Sequence, residues 1–280
     1  PKIDEHGFVK ANGIDLEYGI YGINNEQPLV LLPCNGADMN GFNDNVLPEF
    51  AKHYKCICVS PRGTGRSGRG TGKLTFEIEA DDLKILLDKL GIEKTYIFGF
   101  SDGGNLGLVF TDRYPERVSK LAIMGSNINM FGTNPWDEIE IIFNFISLAL
   151  KAWKTGDPRV ALQRDIEGMM VCQPKLMFKD IAKIKIPVLN IFGQNDMIMR
   201  IHSKLITAFI PDCKELMVVG GGHSTCFKQS TYDLLLRQDE AALRRRAGDR
   251  ALADAVVAVS VQDVHELGEQ WFGVETDRLA

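Results

Sequence analysis

Short, continuous apolar runs alternate along the chain with segments of helical periodicity, and this alternation constrains the fold more than any other feature. A strand in which every residue is apolar must be buried on both faces, which is typical of a parallel sheet covered by helices. Helical segments between successive runs supply the crossovers that parallel strands need. The sequence therefore predicts an α/β fold with a doubly wound, mostly parallel sheet. Its strands are expected at 29–32, 56–59, 96–98, 121–124, 187–192 and 216–219, and its first helices at 46–54, 77–90 and 103–114.

The N-terminal segment differs, because its apolar residues alternate with polar ones on either side of Asn12-Gly13. Both residues tolerate a positive φ, and an Asn-Gly pair between alternating runs is the strongest short signal for a β-hairpin. The sequence predicts that the chain begins with such a hairpin.

The segment 127–184 interrupts the alternation of strands and helices. It carries a long apolar run at 141–150 and a Met-rich stretch at 169–170, and no strand pattern. Almost sixty residues are too many for one crossover. We therefore predict a small helical cap, inserted into a core domain made of residues 1–126 and 185–236; the alternative is a set of ordinary crossover helices.

The last 44 residues, 237–280, differ in composition from the rest. They contain six Arg and no Lys, whereas residues 1–236 contain 18 Lys and eight Arg. Such a break indicates a segment of separate origin, mainly helical, from a natural or an engineered fusion. We predict that it mediates self-association, giving a homo-oligomer, or packs as a substitute final helix, and that it has no catalytic role.

The stretch GFSDGG at 99–104 places Ser101 between glycines where a buried strand gives way to a helix. The G-x-S-x-G pattern alone is a weak signal, but a strand before it and a helix after it are typical of a sharp turn that presents a nucleophilic serine. Such a turn lies at the carboxyl end of the sheet, where open α/β sheets bind ligands. Ser101 is therefore the candidate nucleophile.

A serine hydroxyl needs a base to take its proton and a carboxylate to orient that base. His223 follows a predicted strand in the glycine-rich loop GGGHS, and Asp196 follows another in IFGQND. The chain order Ser, Asp, His is the one expected of this architecture. His202 is the one serious competitor for the role of base.

A tetrahedral intermediate also needs two N–H donors for its oxyanion. The backbone N–H of Asp102, one residue past the serine, lies at the start of a helix. We expect the second donor in the loop after the strand at 29–32, and Asn35 is the candidate.

Together these segments make the chain resemble a member of the α/β-hydrolase superfamily, within its small-cap esterases and related serine hydrolases. The resemblance covers about residues 8–236 and rests on GFSDGG, SPRGTGRSG at 60–68, IFGQND and GGGHS. It implies that Ser101, Asp196 and His223 form a catalytic triad and that Asn35 and Asp102 form the oxyanion hole. The chain departs from the family's usual pattern at three points: Pro33-Cys34 replaces His-Gly, Ser60 stands where Asp is common, and the C-terminal segment is unlike a normal final helix.

The expected activity is hydrolysis of small carboxylic esters through an acyl-enzyme, with a small-molecule ester as partner and neither a metal nor an organic cofactor. The same triad also serves C–C, amide and thioester cleavage and perhydrolysis, and a ligand-binding or inactive scaffold remains an alternative. Asp102 either attracts a cationic substrate group or only stabilises the helix N-terminus. Four residues of the predicted cap are candidates for an apolar acyl pocket or, equally, for plain cap core: Trp136, Phe143, Phe145 and Met169.

Charge and hydropathy bear on the partners and the location of the protein. The net charge of −5 argues against nucleic acid as the main partner. The sequence contains no apolar run long enough to span a membrane and no visible signal peptide, so we expect no membrane partner and a cytoplasmic location.

Overall fold

The structure is a computed structural model, and it describes residues 1–44 and 46–224. Within these residues eight strands form one sheet in the order β1-β2-β4-β3-β5-β6-β7-β8. The strands β1 and β2 form an antiparallel hairpin, β2 is antiparallel to β4, and all other neighbours are parallel. The strands are β1 (Glu5–Ala11), β2 (Ile14–Tyr21), β3 (Pro28–Leu32), β4 (Lys55–Val59), β5 (Thr95–Phe100), β6 (Val118–Met124), β7 (Val188–Gly193) and β8 (Cys213–Val218).

Seven α-helices connect or cover these strands in the described part of the chain: α1 (Leu47–His53), α2 (Phe76–Lys89), α3 (Asp102–Arg113), α4 (Pro135–Thr155), α5 (Pro158–Cys172), α6 (Phe178–Ile181) and α7 (Arg200–Phe209). Short 3-10 helices lie at Pro115–Arg117 and Met130–Gly132. None of the helices described combines the length and apolar character that a membrane span requires.

Both faces of the sheet are buried, as continuous apolar strands require. In β3, Val30 and Leu32 pack in the core cluster that includes α2, α3 and α7, whereas Leu29 and Leu31 pack on the opposite face with α1. The predicted hairpin is confirmed, with Asn12 at φ 42° and Gly13 at φ 82° in the turn. The doubly wound, mostly parallel sheet predicted from the sequence is therefore present.

The segment 127–184 is helical, and most of it forms two long antiparallel helices. Helix α4 begins after Asn134, whose side chain accepts the N–H of Trp136, and ends at Gly156, which has the left-handed conformation that favours glycine at a helix end. Helix α5 returns against α4 and contacts the loop after β3. The short helix α6 packs on α3 and α7 instead. Residues 225–280, including the segment 237–280 and its predicted self-association, lie outside the described residues.

Candidate active site

Ser101 occupies the sharp turn between β5 and α3. Its backbone lies at φ 55° and ψ −122°, a conformation that non-glycine residues rarely adopt. The flanking glycines permit the turn: a Cβ on Gly103 would collide with the carbonyl of Leu32, and one on Gly104 with the hydroxyl of Ser126. The small residues therefore allow the close approach of neighbouring backbone that leaves Ser101 at the carboxyl end of the sheet.

The three side chains predicted to act together form one hydrogen-bonded chain. Ser101 Oγ lies 2.9 Å from His223 Nε2, and His223 Nδ1 lies 2.6 Å from Asp196 Oδ1. The carboxylate side chain of Asp196 is only 1% exposed. Because a carboxylate can only accept, Nδ1 carries the ring proton and Nε2 is free to accept the hydroxyl proton of Ser101.

Backbone contacts fix the two loops that carry the acid and the imidazole. Asp196 Oδ1 also accepts the N–H of Ile198 at 3.0 Å, and the N–H of Asn195 donates to the carbonyl of Gly221 at 2.7 Å. The ring of Phe100 lies 5.1 Å from the imidazole of His223, between centroids. The acid loop and the histidine loop are thus tied to each other before any substrate is present.

Gly125 is a site residue that sequence reasoning missed. It follows β6 with φ +57°, and a Cβ placed there would lie 2.9 Å from His223 Cε1 and Nδ1. Its signal in the sequence is a glycine directly after a buried strand, at the edge where the other site residues collect. The imidazole occupies the space that this missing side chain leaves.

Asn35 connects three parts of the molecule through its side chain. Its Nδ2 donates to Asp102 Oδ2 at 2.7 Å and to the carbonyl of Ile166 in α5 at 2.9 Å. The N–H of Asp102, the first residue of α3, has no acceptor within the helix, as is usual at a helix N-terminus. That N–H and the backbone N–H of Asn35 stay our predicted oxyanion donors.

A cavity of about 30 Å³ lies beside the turn and carries two buried carboxyl groups, Asp102 and Glu79. Burial raises the pKa of Asp102 to about 6, although hydrogen bonds from Asn35 and Asn105 lower it. Burial and then the nearby carboxyl groups of Asp102 and Asp82 raise the pKa of Glu79 to about 8. The sequence signal for Glu79 is its position four residues before Leu83, on the apolar face of α2.

The four candidate pocket residues are dispersed. Met169 lines the cavity beside the turn. Phe145 packs between the cap helices, its ring 3.0 Å from the point where a Cβ on Gly168 would lie. Trp136 and Phe143 are 79% and 73% exposed on α4, because α5 covers the other side of that helix.

His202, the rival base, lies away from Ser101 and is buried. Its Nε2 accepts the N–H of Ile128 at 3.2 Å, and its ring centroid lies 5.9 Å from that of Phe178, with the two rings tilted by 52°. Burial lowers the pKa of His202 to about 4. It therefore acts as a neutral core histidine.

An open groove of about 860 Å³ adjoins His223 and Asp196 on the side of α7, with Asp137, Arg200 and Lys204 in its wall. Throughout the described residues, no three His, Cys, Asp or Glu side chains converge in a way that can hold a metal ion. The site so described has the groups for proton transfer and nucleophilic attack.

Comparisons with known proteins identify the fold family. A family model described as the alpha/beta hydrolase fold matches residues 27–167, about half of the chain. A 2-hydroxy-6-oxononadienedioate/2-hydroxy-6-oxononatrienedioate hydrolase from Pseudomonas putida is 31% identical over 137 residues, 46% of this chain and 47% of that protein, so the match spans about half of that relative's length. The human serine hydrolase BPHL is 25% identical over 236 residues, covering 77% of this chain and 79% of BPHL.

Solved structures show the same fold. A meta-cleavage product hydrolase from Pseudomonas fluorescens superposes with a TM-score of 0.63 at 20% identity, covering 88% of this chain and 99% of the other. A carboxylesterase from Bacillus subtilis superposes with a TM-score of 0.66 at 19% identity, covering 85% and 92%. Together, the family match over half of the chain and the eight-stranded sheet establish that this chain belongs to the α/β-hydrolase family.

Proposed function

We propose that this α/β hydrolase is a serine hydrolase that cleaves small carboxylic esters. The observation that carries the proposal is the hydrogen-bonded chain from Ser101 Oγ through His223 to Asp196, with distances of 2.9 Å and 2.6 Å. Hydrogen bonds of this length let the imidazole take the hydroxyl proton as the oxygen attacks.

In the proposed reaction, His223 Nε2 takes the proton of Ser101, and Oγ attacks the ester carbonyl. The tetrahedral intermediate collapses, the C–O bond to the alcohol breaks, and His223 returns the proton to the leaving alkoxide. His223 then takes a proton from water as the water attacks the acyl-enzyme; the bond from the acyl carbon to Oγ breaks, His223 returns the proton to Oγ, and the carboxylic acid is released. Asp196 stabilises the imidazolium that forms in both halves.

Negative charge on the intermediate is proposed to be held by the backbone N–H groups of Asp102 and Asn35. The position of Asp102 at the N-terminus of α3 supports this, since helix N-termini attract anions. Loss of one such donor typically lowers kcat by roughly 10²–10³-fold.

The size and charge of the cavity beside the turn, which Asp102 and Gly103 line, support small substrates without negative charge. Its volume of about 30 Å³ exceeds the roughly 10–15 Å³ that one water molecule needs, which leaves room for a short acyl chain only. Its walls carry Asp102 and Glu79, and the guanidinium of Arg62, which also lines it, is already paired with Asp82.

Cleavage of a C–C bond is the second candidate, because the relative from Pseudomonas putida is named for hydrolysis of a 6-oxo dicarboxylate, which contains no ester bond. The carboxyl group of Asp102, whose pKa of about 6 leaves it ionised at neutral pH, favours a neutral or cationic ester over such a dianion, since like charges repel strongly in a poorly solvated cavity. Ester hydrolysis therefore comes first.

The test is hydrolysis of p-nitrophenyl esters, from acetate to dodecanoate, by the wild-type chain, by Ser101→Ala and by Ser147→Ala, which removes an exposed hydroxyl on α4. We expect activity that is highest for acetate and that falls on the order of 10⁶-fold in Ser101→Ala. The Ser147→Ala variant should match the wild type.

Two further readouts distinguish the alternatives. p-Nitrophenyl hemisuccinate, which carries a carboxylate on its acyl chain, should react more slowly than the acetate. Folded wild-type protein that neither hydrolyses any ester nor reacts at Ser101 with a fluorophosphonate would refute the proposal and favour a non-catalytic scaffold.

A further inference from the structure

Helix α4 is apolar on two opposite faces, and the described chain covers one of them. Residues Ile141, Phe145 and Ala152 lie on the face that packs against α5; Ile141 and Ala152 are 7% exposed. A surface helix normally has one apolar face and one polar face. A second apolar face therefore calls for a second contact.

The opposite face, which we call the outer stripe, carries large apolar side chains at alternating spacings of three and four residues. This is the spacing of the a and d positions of a heptad, held over the whole length of a helix of 21 residues. The outer stripe consists of Trp136 (79% exposed), Ile139 (51%), Phe143 (73%), Ile146 (48%), Leu150 (61%) and Trp153 (85%).

The exposed area of the outer stripe matches what an interface needs. Its three aromatic side chains contribute roughly 150–250 Å² each when fully buried. With the three aliphatic ones they bring the apolar area to the order of 800 Å² per copy, the area that each partner contributes to a standard interface. The largest apolar patch on an ordinary monomer is roughly 300–600 Å².

The charges beside the outer stripe indicate what covers it. One polar flank runs along the helix from Asp137 and Glu140, through Asn144, to Lys151 and Lys154. The flank is thus acidic at its N-terminal end, neutral in the middle and basic at its C-terminal end. Two such helices in antiparallel orientation bring the acidic end of this flank next to the basic end of the same flank on the partner, at both ends. In a parallel two-fold pair this flank faces the opposite flank of the partner, so its charges do not meet.

We infer that the outer stripe binds a second copy of this chain, with the two α4 helices antiparallel about a two-fold axis. The surface is self-complementary, as a two-fold interface requires. In this arrangement Trp136 of each copy lies level with Trp153 of the other, and the axis passes between Phe143 and Ile146. The apolar seam supplies affinity, and the charged flank selects the orientation.

The first test compares Leu150→Glu with Gln163→Glu by analytical ultracentrifugation of the full chain under reducing conditions, so that the exposed Cys172 forms no disulfide. Both variants add the same charge at an exposed helical position, and Gln163 lies on α5, outside the outer stripe and its charged flank. We expect a wild-type dimer, a dimer in Gln163→Glu, and a dissociation constant raised at least roughly 100-fold in Leu150→Glu. Circular dichroism and the melting temperature establish that each variant is folded.

The second test addresses orientation. In an antiparallel dimer Glu140→Lys places like charges together at both ends and should raise the dissociation constant roughly two- to thirty-fold. Adding Lys154→Glu should restore wild-type association. In a parallel pair this flank does not meet its own copy, so an unchanged dissociation constant in Glu140→Lys would overturn the antiparallel orientation.

A monomeric wild-type chain at tens of micromolar would overturn the inference, and so would a dimer that Leu150→Glu leaves unchanged. If the chain is monomeric and Leu150→Glu lowers its melting temperature, residues 225–280 cover the outer stripe instead. If the monomer co-sediments with phosphatidylcholine vesicles and Leu150→Glu abolishes this, the stripe binds a membrane surface.

Discussion

Two backbone angles at Ser101 show how the turn holds a serine hydroxyl beside an imidazole. A positive φ on a non-glycine residue costs roughly 1–3 kcal/mol, so the surrounding structure must compensate. The N–H of Ser101 donates to the carbonyl of Met124 at 2.7 Å, and its own carbonyl accepts the N–H of Asn105 at 3.0 Å. The strain therefore persists because the neighbouring strand and helix fix both sides of the residue.

Gly125 gives a test of how closely His223 is packed. In Gly125→Ala the new Cβ would lie 2.9 Å from two atoms of the imidazole, so the ring must shift from its place beside Ser101 and Asp196. Displacement of a catalytic group by about 1 Å costs on the order of 10² in rate. We expect kcat/KM for p-nitrophenyl acetate to fall by about that factor.

Gly156→Ala is the matched control for Gly125→Ala. Gly156 has φ +63°, close to the φ +57° of Gly125, but no atom lies within 4 Å of its added Cβ. Both variants should lose about 1–2 kcal/mol of stability from the left-handed backbone, and only Gly125→Ala should lose activity. Equal activity of the two variants would contradict the role given to Gly125.

The raised pKa of Glu79 predicts that the stability of the protein depends on pH. Its pKa is raised to about 8 in the native state from an ordinary value of 4.5. Between these values the native state holds a proton that the unfolded chain has released, so the free energy of unfolding falls as the pH rises. Glu79→Gln cannot ionise, so its free energy of unfolding should exceed that of the wild type by roughly a few kcal/mol at pH 8 and nearly equal it at pH 4.

Urea denaturation at pH 4, 6 and 8 measures this difference, with Glu77→Gln on the same helix as control. We expect the stability of Glu79→Gln relative to the wild type to increase with pH, and that of Glu77→Gln to stay constant. A constant difference between Glu79→Gln and the wild type would mean that Glu79 ionises normally in the folded protein.

At the scale of helices and strands, the apolar pattern predicted where elements lie better than where they begin. The central strands were found from their continuous apolar residues. Strand β8 was predicted at 216–219, but it begins at Cys213. The prediction missed this start because Lys214 and Glu215 are polar residues exposed on the strand. A strand that is not covered on both faces carries polar residues that no apolar run reveals.

The sequence did not predict hydrogen bonds between side chains of one element and groups of a distant element. The candidate acid, base and nucleophile could be found because each follows a strand in a recognisable loop. The contact of Asn35 with both Asp102 and Ile166 joins residues 67 and 131 positions apart, and no periodicity links them. The position of α5 beside the turn depends on such contacts, which arise only in the tertiary structure.

The effect of the Asn35 hydrogen bonds on kcat can be measured separately from their effect on stability. Asn35→Ala leaves the backbone N–H in place but removes the bonds to the turn and to α5. Asn25→Ala is the control, because Asn25 Nδ2 likewise donates two hydrogen bonds, to the carbonyls of Ala51 and Tyr54 at 3.0 and 3.1 Å.

Each variant should lose about 1–3 kcal/mol of stability, since carbonyl groups lose their donors. Only Asn35→Ala should lower kcat, by roughly tenfold, because the loop that carries a proposed oxyanion donor is no longer held to the turn. If the kcat values of the two variants agree, Asn35 is a structural residue alone.

At the scale of the whole molecule, a buried ion pair joins the N-terminal hairpin, the loop after β4 and helix α2. The side chains of Arg62 and Asp82 are each 2% exposed and are paired through two nitrogens of the guanidinium. Arg62 also donates to the carbonyl of Asn12 at 3.0 Å, and the side chain of Asn12 donates to Asp82 at 2.8 Å. The segment SPRGTGRSG thus contributes a link between elements.

The stability of the whole fold should therefore depend on Arg62 far more than on a surface arginine. Arg62→Met leaves the carboxylate of Asp82 buried without its partner, which costs about 3–5 kcal/mol. Arg113→Met removes a pair with Asp81 whose side chains are 37% and 36% exposed, so it should cost less than about 1 kcal/mol. Urea denaturation followed by far-UV circular dichroism measures the stability of both variants. An unchanged dependence of the free energy on urea concentration shows that the native state is intact. Similar midpoints for the two variants would mean that the hairpin is held by its apolar contacts alone; a large loss confined to Arg62→Met would show that one buried charge pair fastens the antiparallel edge to the parallel sheet.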